Sequence, residues 1–330
     1  MKTRILLLSG GEGKRLWPLC GETKAKQFLP LLSDDNGNTE SMLKRLIRQL
    51  EYHFAEAQII IAAGEHQKNA IEQEIGTSYT IICEPVRRNT FGSIVLSSRY
   101  MIDELHYSLD DIVLVLPVDM YVERHYFKSL KDMVRVASLK KHEFVLMGIF
   151  PYYEATRFGY IIPKTSSEEY LEVERFVEKP DKETAALLIK KHALWNAGVS
   201  AFSLSTINTI IIREVGEEDF HYYVTHYENM KKESFDVAIL EKSTSLALIH
   251  HNGPWHDIGT WDSVCEVLKY PQVGNVKSVD CTNTSVINNT QTPIVTMGLE
   301  GVIVVATDDG ILITDAAHAP HIKDVIEKKK

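Results

Sequence analysis

Residues 5–31 read ILLLSGGEGKRLWPLCGETKAKQFLPL and hold the densest set of groups able to handle a polyanion. A short apolar run at 5–8 has the length of a buried strand and empties into a turn carrying Gly10, Gly11 and Gly13. Glycine lacks the Cβ atom that keeps a backbone at a distance, so the N–H groups of such a turn can face bound oxygen atoms. Lys14, Arg15, Lys24 and Lys26 follow closely. Cations gathered behind one loop repel one another unless an anion lies among them. A nucleoside triphosphate is the natural candidate.

Spacing separates this loop from two common phosphate loops. A dinucleotide G-x-G-x-x-G would need glycine where Leu16 stands, and a Walker loop would need glycine at Leu8 and Ser or Thr at Arg15. A Gly-rich turn after a strand is also common as plain structure in α/β proteins.

The segment G-G-E-G-K-R-L-W-P-L-C-G, followed by A-K-Q-F-L, closely resembles the N-terminal signature of sugar-phosphate nucleotidyltransferases, especially the mannose-1-phosphate guanylyltransferases. Lys14 stands where that family usually has Thr, Cys20-Gly21 where it has Ser-Arg, and Ala25 where Pro precedes the lysine. Further motifs resembling the family follow in the same order along the chain, to about residue 262. E-P-V-R-R-N-T at 84–90 is similar to a loop near the base, which implies nucleotide contacts from Glu84, Arg88 and Asn89. L-P-V-D-M at 116–120 is similar to L-P-A-D-H, whose Asp binds magnesium; here Val118 and Met120 depart from the pattern. Read alone, Asp119 is more often a turn or cap residue after a strand. W-H-D-I-G-T-W at 255–261 nominates Asp257 as the second magnesium ligand, and Asp257 also reads as an N-cap for a helix near Thr260. Magnesium prefers a few carboxylates together with phosphate oxygens and retained waters.

F-G-Y-I at 158–161, F-V-E-K-P at 176–180 and W-N-A-G-V at 195–199 resemble the family's sugar-side motifs. They imply close approach of a sugar ring at Gly159, hydroxyl contacts from Glu178 and Asn196, and a phosphate contact from Lys179. Ala197 and Ser200 depart from the pattern. Adjacent side chains on a strand point to opposite faces, so Glu178 and Lys179 reach one ligand only if the strand ends or bulges there, which Pro180 favours. As an isolated pair they would be a solvated surface feature. S-F-D-V-A at 234–238 resembles a late motif.

These residues need elements to carry them. Compact apolar runs at 58–63, 79–83, 112–116 and 144–149 have strand length, and helical patterns lie at 42–50, 94–100 and 130–139. Such alternation predicts an α/β fold, a Rossmann-like mixed, mostly parallel sheet, with ligands at the carboxyl ends of its strands. The resemblance makes it the nucleotidyltransferase type. From residue 276 to 314 the chain is rich in Val, Ile, Thr and Asn without helical periodicity. This predicts a small C-terminal all-β domain at 271–330 after a catalytic domain at 1–270, serving packing or a homodimer contact. No regular hexapeptide repeat is visible there.

Bulk properties narrow the partners. The chain has 330 residues, 44% hydrophobic and 25% charged, with a net charge of −9. That balance argues against a broad nucleic-acid surface. Its four cysteines are too few and scattered for a disulfide framework or a Cys-x-x-Cys metal site. No apolar stretch approaches the roughly 20 residues that span a bilayer. A cytoplasmic enzyme is expected, with no membrane partner.

The resemblance implies GTP and mannose 1-phosphate as substrates and Mg2+ as cofactor, giving GDP-mannose and pyrophosphate. Ser9, Gly10, Gly11, Gly13 and Lys14 would cradle the nucleotide. Arg15 and Lys26 would take the charge developing on pyrophosphate, and Lys179 would aim the sugar phosphate. Another hexose or heptose 1-phosphate, another nucleotide, or a catalytically quiet nucleotide-sugar binding subunit are the alternatives. A metal-dependent glycosyltransferase shares the α/β plan but has no need of a triphosphate loop.

Overall fold

The computed structural model describes residues 1–11, 13–21, 25–34, 37–166 and 169–327. The chain divides into two compact units. The first comprises Met1–Gly10, Ile47–Val118 and Glu123–Pro254; the second comprises Gly11–Leu46, Asp119–Val122 and Trp255–Lys330. The units are therefore interleaved in sequence, where the sequence reading drew one cut near residue 270.

The first unit is built on a nine-stranded mixed sheet. Its strands are β1 (Thr3–Leu8), β2 (Gln58–Gly64), β3 (Thr80–Glu84), β4 (Ile112–Pro117) and β5 (Phe144–Ile149). They continue as β6 (Tyr160–Ser166), β7 (Leu171–Val177), β8 (Leu194–Ser203) and β9 (Leu246–His251). The order across the sheet is β3-β2-β1-β4-β8-β5-β9-β7-β6. The run β3-β2-β1-β4 is parallel, β9 is parallel to β5, and β8 runs antiparallel to β4, β5 and β6. All five strands expected from apolar runs are present.

Burial explains why β1 and β4 read as continuous apolar runs rather than alternating ones. Leu6, Val113 and Val115 join a core with Phe91, Ile94 and Val95 of helix α2, which follows α1 (Met42–His53) and spans Asn89–Asp103. Their neighbours Ile5, Leu7, Leu114 and Leu116 point to the opposite face and are equally buried. Helix α3 (Arg124–Ser138) turns Tyr126, Phe127, Leu130 and Met133 inward at helical spacing. No helix among the described residues is long and apolar enough to cross a membrane.

Register then places the functional loops. Leu8 lies opposite both Ala62 and Pro117, and Gly64 lies opposite Glu84. The carboxyl ends of the parallel strands are thus level, and the segments leaving them start at one edge of the sheet.

The second unit has its own apolar core. Leu16, Leu19, Cys20 and Leu29 of the signature segment pack with Trp261, Cys265, Ile287, Ile303, Val305 and Ala319. Its late strands Val276–Val279, Ser285–Asn288, Ile294–Met297 and Val302–Thr307 pair in parallel. Val276 pairs with Ile294, Thr282 with Glu300 and Ser285 with Ile303, each 18 residues apart. One constant offset at successive places is the register of a β-helix coil returning onto itself. Gly274 admits that return, because a Cβ there would lie 2.0 Å from the Asn288 carbonyl oxygen. A hairpin strand, Gly310–Asp315, and a short helix, Ile322–Glu327, follow.

Candidate active site

In the second unit, the antiparallel ladder of Met120–Val122 and Trp255–Asp257 sets the two nominated metal ligands side by side. Asp257 is registered against Met120, and the Ile258 N–H donates to the Asp119 carbonyl at 3.1 Å. Lys26 forms an ion pair with the Asp119 carboxylate. Burial disfavours the Lys26 ammonium, but the charges of Asp119 and Asp257 outweigh it and hold its pKa above the ordinary lysine value.

The glycines explain how Lys26 reaches this place. A Cβ on Gly13 would lie 2.7 Å from the Lys26 Cβ and 3.0 Å from the Cys20 Sγ. Gly13 also has φ of 70°, a left-handed backbone that caps the short helix Lys14–Leu16. Gly11 passes the Lys26 side chain at ordinary contact distance. Lys14 and Arg15 are exposed on that short helix. Lys24 lies outside the described residues.

Asp257 does not cap the following helix. Thr260 caps Trp261–Val267, with Ser263 completing the capping box. Both carboxylates offer hard oxygen donors, and no group of three or more metal-binding side chains exists among the described residues. Such a pair fits magnesium, which takes few protein ligands and completes its shell with phosphate and water.

The first unit carries two further groups. At the carboxyl end of β3, the Glu84 Oε2 accepts a hydrogen bond of 2.8 Å from the Tyr227 hydroxyl. Burial pushes the Glu84 carboxyl above its usual range, and the hydroxyls of Tyr227 and Ser93 pull it partly back. Gly10 lies beside the Glu84 Oε1, whereas the Ser9 N–H donates to the Ala62 carbonyl and continues the sheet. Arg88 donates to the Glu228 carbonyl. Asn89 opens α2 with φ of 62°.

The second of these groups follows β7. That strand ends at Val177, and Lys179 adopts φ of 43°, so the chain breaks its alternation and Lys179 pairs with Glu178. The Asn196 Nδ2 donates to the Asp236 Oδ1 at 2.7 Å, and the Asn196 Oδ1 accepts from the Gly198 N–H at 3.1 Å. The Glu178 N–H donates to the Glu241 Oε1 at 2.9 Å. Gly159 must lack a side chain, since its Cβ would sit 2.6 Å from the Glu178 Oε2. Burial, then the Asp236 charge, push the Glu178 carboxyl up, and Lys179 opposes the shift. Asp236 is also pushed up, chiefly by burial.

The structure thus gathers Lys26, Asp119 and Asp257 in one unit, and Glu178, Lys179, Asn196 and Gly159 in the other. Sequence reasoning named Asp236 without a role and passed over Tyr227 and Ser93. Tyr227 sits in H-Y-Y-V-T-H-Y-E-N, which has no motif to mark it.

Known proteins resemble this chain over nearly its whole length. The Nucleotidyl transferase family model matches residues 4–272, and a MannoseP isomerase/GMP-like beta-helix domain matches 274–328. The xanthan biosynthesis protein XanB of Xanthomonas campestris pv. campestris is 30% identical, over 98% of this chain and 73% of its own length. A mannose-1-phosphate guanylyltransferase of Sinorhizobium fredii is 29% identical, over 98% of this chain and 67% of its own. The solved structure described as mannose-1-phosphate geranyltransferase from Thermus thermophilus superposes with a TM-score of 0.84. It is 25% identical and covers 100% of this chain and 99% of that one. A UDP-glucose pyrophosphorylase, 15% identical with a TM-score of 0.58, shares the fold. The chain belongs to the nucleotidyl transferase family and is an enzyme that acts on a nucleoside triphosphate and a sugar 1-phosphate.

Proposed function

We propose that the protein joins GTP to mannose 1-phosphate, giving GDP-mannose and pyrophosphate. The observation that supports this reading is the Lys26–Asp119–Asp257 group, built by the signature segment and by the ladder that holds both carboxylates. An oxygen of the sugar phosphate attacks the α-phosphorus in line, its new P–O bond forming as the bond to the β-phosphate breaks. Pyrophosphate leaves with that electron pair. Such a transfer needs positioning and charge neutralisation rather than a covalent nucleophile.

Asp119 and Asp257 would hold magnesium, which supplies charge neutralisation to the phosphates when bound. Lys26 then trades its carboxylate partners for phosphate oxygens, with Arg15 and Lys14 on the same segment. Gly10, Gly11 and Gly13 let the backbone approach the nucleotide, and Ser9 anchors that turn to the sheet. Glu84, Arg88 and Asn89 take the base. Glu178, Asn196 and Gly159 take the sugar, and Lys179 takes its phosphate. In sequence terms, 1–270 is the catalytic segment and 271–330 supports it.

A different sugar 1-phosphate is the second reading, favoured by Met120. Its Sδ accepts the Trp255 Nε1 hydrogen at 3.1 Å, so this position is apolar and buried beside Asp119. Pyrophosphate release with each common nucleoside triphosphate against a panel of sugar 1-phosphates tests both readings. Asp119→Asn is expected to lower turnover about 10²–10³-fold, the scale of losing one preorganised electrostatic contact. Turnover within about threefold of wild type would contradict the role given to Asp119.

A further inference from the structure

Glu84 is out of place for a phosphate site. It ends β3 on the edge where β1 delivers Gly10, and its Oε1 lies 4.0 Å from where a Gly10 Cβ would be. An ionised carboxylate there repels phosphate, so its partner must bring hydrogen-bond donors. Its own protein partners are hydroxyls: the Tyr227 O–H on Oε2 at 2.8 Å, and Ser93 from the first turn of α2.

Tyr227 is built into this place. It is 1% exposed and stands over Gly92, where a Cβ would lie 2.8 Å from the tyrosine Oη. Any other residue at 92 would displace the hydroxyl from Glu84. The start of α2 is tied to the same stretch, since the Phe235 N–H donates to the Thr90 Oγ1 at 2.8 Å. Arg88 is the charged side chain next to Tyr227, and it is engaged by the Glu228 carbonyl.

We infer that Tyr227 is a positioning residue that fixes the Glu84 carboxylate as a pure acceptor for the nucleotide's base, making the pair a selector for guanine. Guanine presents two adjacent N–H donors, from N1 and the 2-amino group, which a carboxylate accepts in parallel. Adenine and cytosine place an unprotonated ring nitrogen at the matching position, and hypoxanthine lacks the 2-amino donor. This inference rests on the nucleotidyltransferase reading, in which Glu84 already takes the base, and adds to it the hydroxyl that positions that carboxylate.

The test is pyrophosphate release from the full chain with GTP, ITP and ATP, for wild type, Glu84→Gln, Tyr227→Phe and Ser93→Ala. Wild type should prefer GTP to ITP by about 10-fold or more, and Glu84→Gln should erase most of that preference, the scale of one bidentate base contact. Tyr227→Phe should reduce the GTP/ITP ratio about three- to tenfold. It should also move the acid limb of kcat/KM for GTP to higher pH, because Glu84 loses a donor that favours its ionised form. A merely structural tyrosine would change neither the ratio nor the limb. If Tyr227→Phe melts early, Ser93→Ala removes the other hydroxyl and reads the same limb. Wild type that uses GTP but treats ITP equally, or variants with unchanged ratio and limb, would overturn the inference. Wild type inactive with every nucleotide would instead overturn the parent reading.

Discussion

The acidic groups of the two units solve opposite problems. In one, Lys26 stands with Asp119 and Asp257, and their charges compensate each other. In the other, burial pushes both Glu178 and Asp236 above the usual carboxylate range, with like charge from Asp236 acting on Glu178 and from Glu241 on Asp236, and Lys179 only partly opposing. On the proposed reading the first group would exchange partners when a polyanion arrives, and the second would be relieved by hydroxyl donors. One would then neutralise charge and the other recognise a donor-rich sugar.

Removing the lysine should break this comparison most strongly. Lys26→Met leaves two carboxylates facing each other, and the expected cost is about 3 kcal/mol of stability together with turnover too low to measure. Urea denaturation beside pyrophosphate release checks both. A variant as stable as wild type would show that Asp119 and Asp257 do not need the cation.

The opposite sign is expected in the other group. A carboxyl whose folded pKa lies above its unfolded value weakens the fold at neutral pH, and this penalty fades as pH falls through the folded pKa. Glu178→Gln and Asp236→Asn should therefore stabilise the substrate-free protein by about 0.5–2 kcal/mol at neutral pH, while raising KM for the sugar phosphate. Thermal melts at neutral and acidic pH would sharpen the contrast: the gain should shrink toward the acidic side. Destabilisation by both variants would contradict it.

The smallest effect is alkaline. Because the folded pKa of Lys26 is raised, its contribution is complete below the ordinary lysine value and is lost as pH rises through the raised one. Wild type and Lys26→Met should keep a constant gap in denaturation midpoint up to the ordinary lysine value, about pH 10.4, and converge in the window above it. Parallel curves across that window would place the stabilisation elsewhere.

Much of this was legible in the chain, for identifiable reasons. β1, β2, β4 and β5 are buried on both faces, so their apolar runs are unbroken and easy to read. The end of β7 was legible because Pro180 cannot continue a ladder. The coil at 272–307 was not, because its repeat lies in backbone register while its side chains mix Val, Ile, Thr and Asn. Asp257 was open to two readings, and Thr260 removes the N-cap one by taking that place itself. Tyr227 was invisible because its meaning lies in proximity to Glu84, 143 residues away.

The clamp on Trp17 has a consequence for how the protein comes into being. Its carbonyl accepts from the Trp261 Nε1 at 2.8 Å, 244 residues later, and its ring lies where a Cβ on Gly310 would be, at 2.6 Å. The signature turn leaves the ribosome well before the groups that fasten it. Newborn chains therefore hold the turn unfastened until Trp261 and Gly310 have been made, and the segment would lose its clamp if transplanted as a cassette.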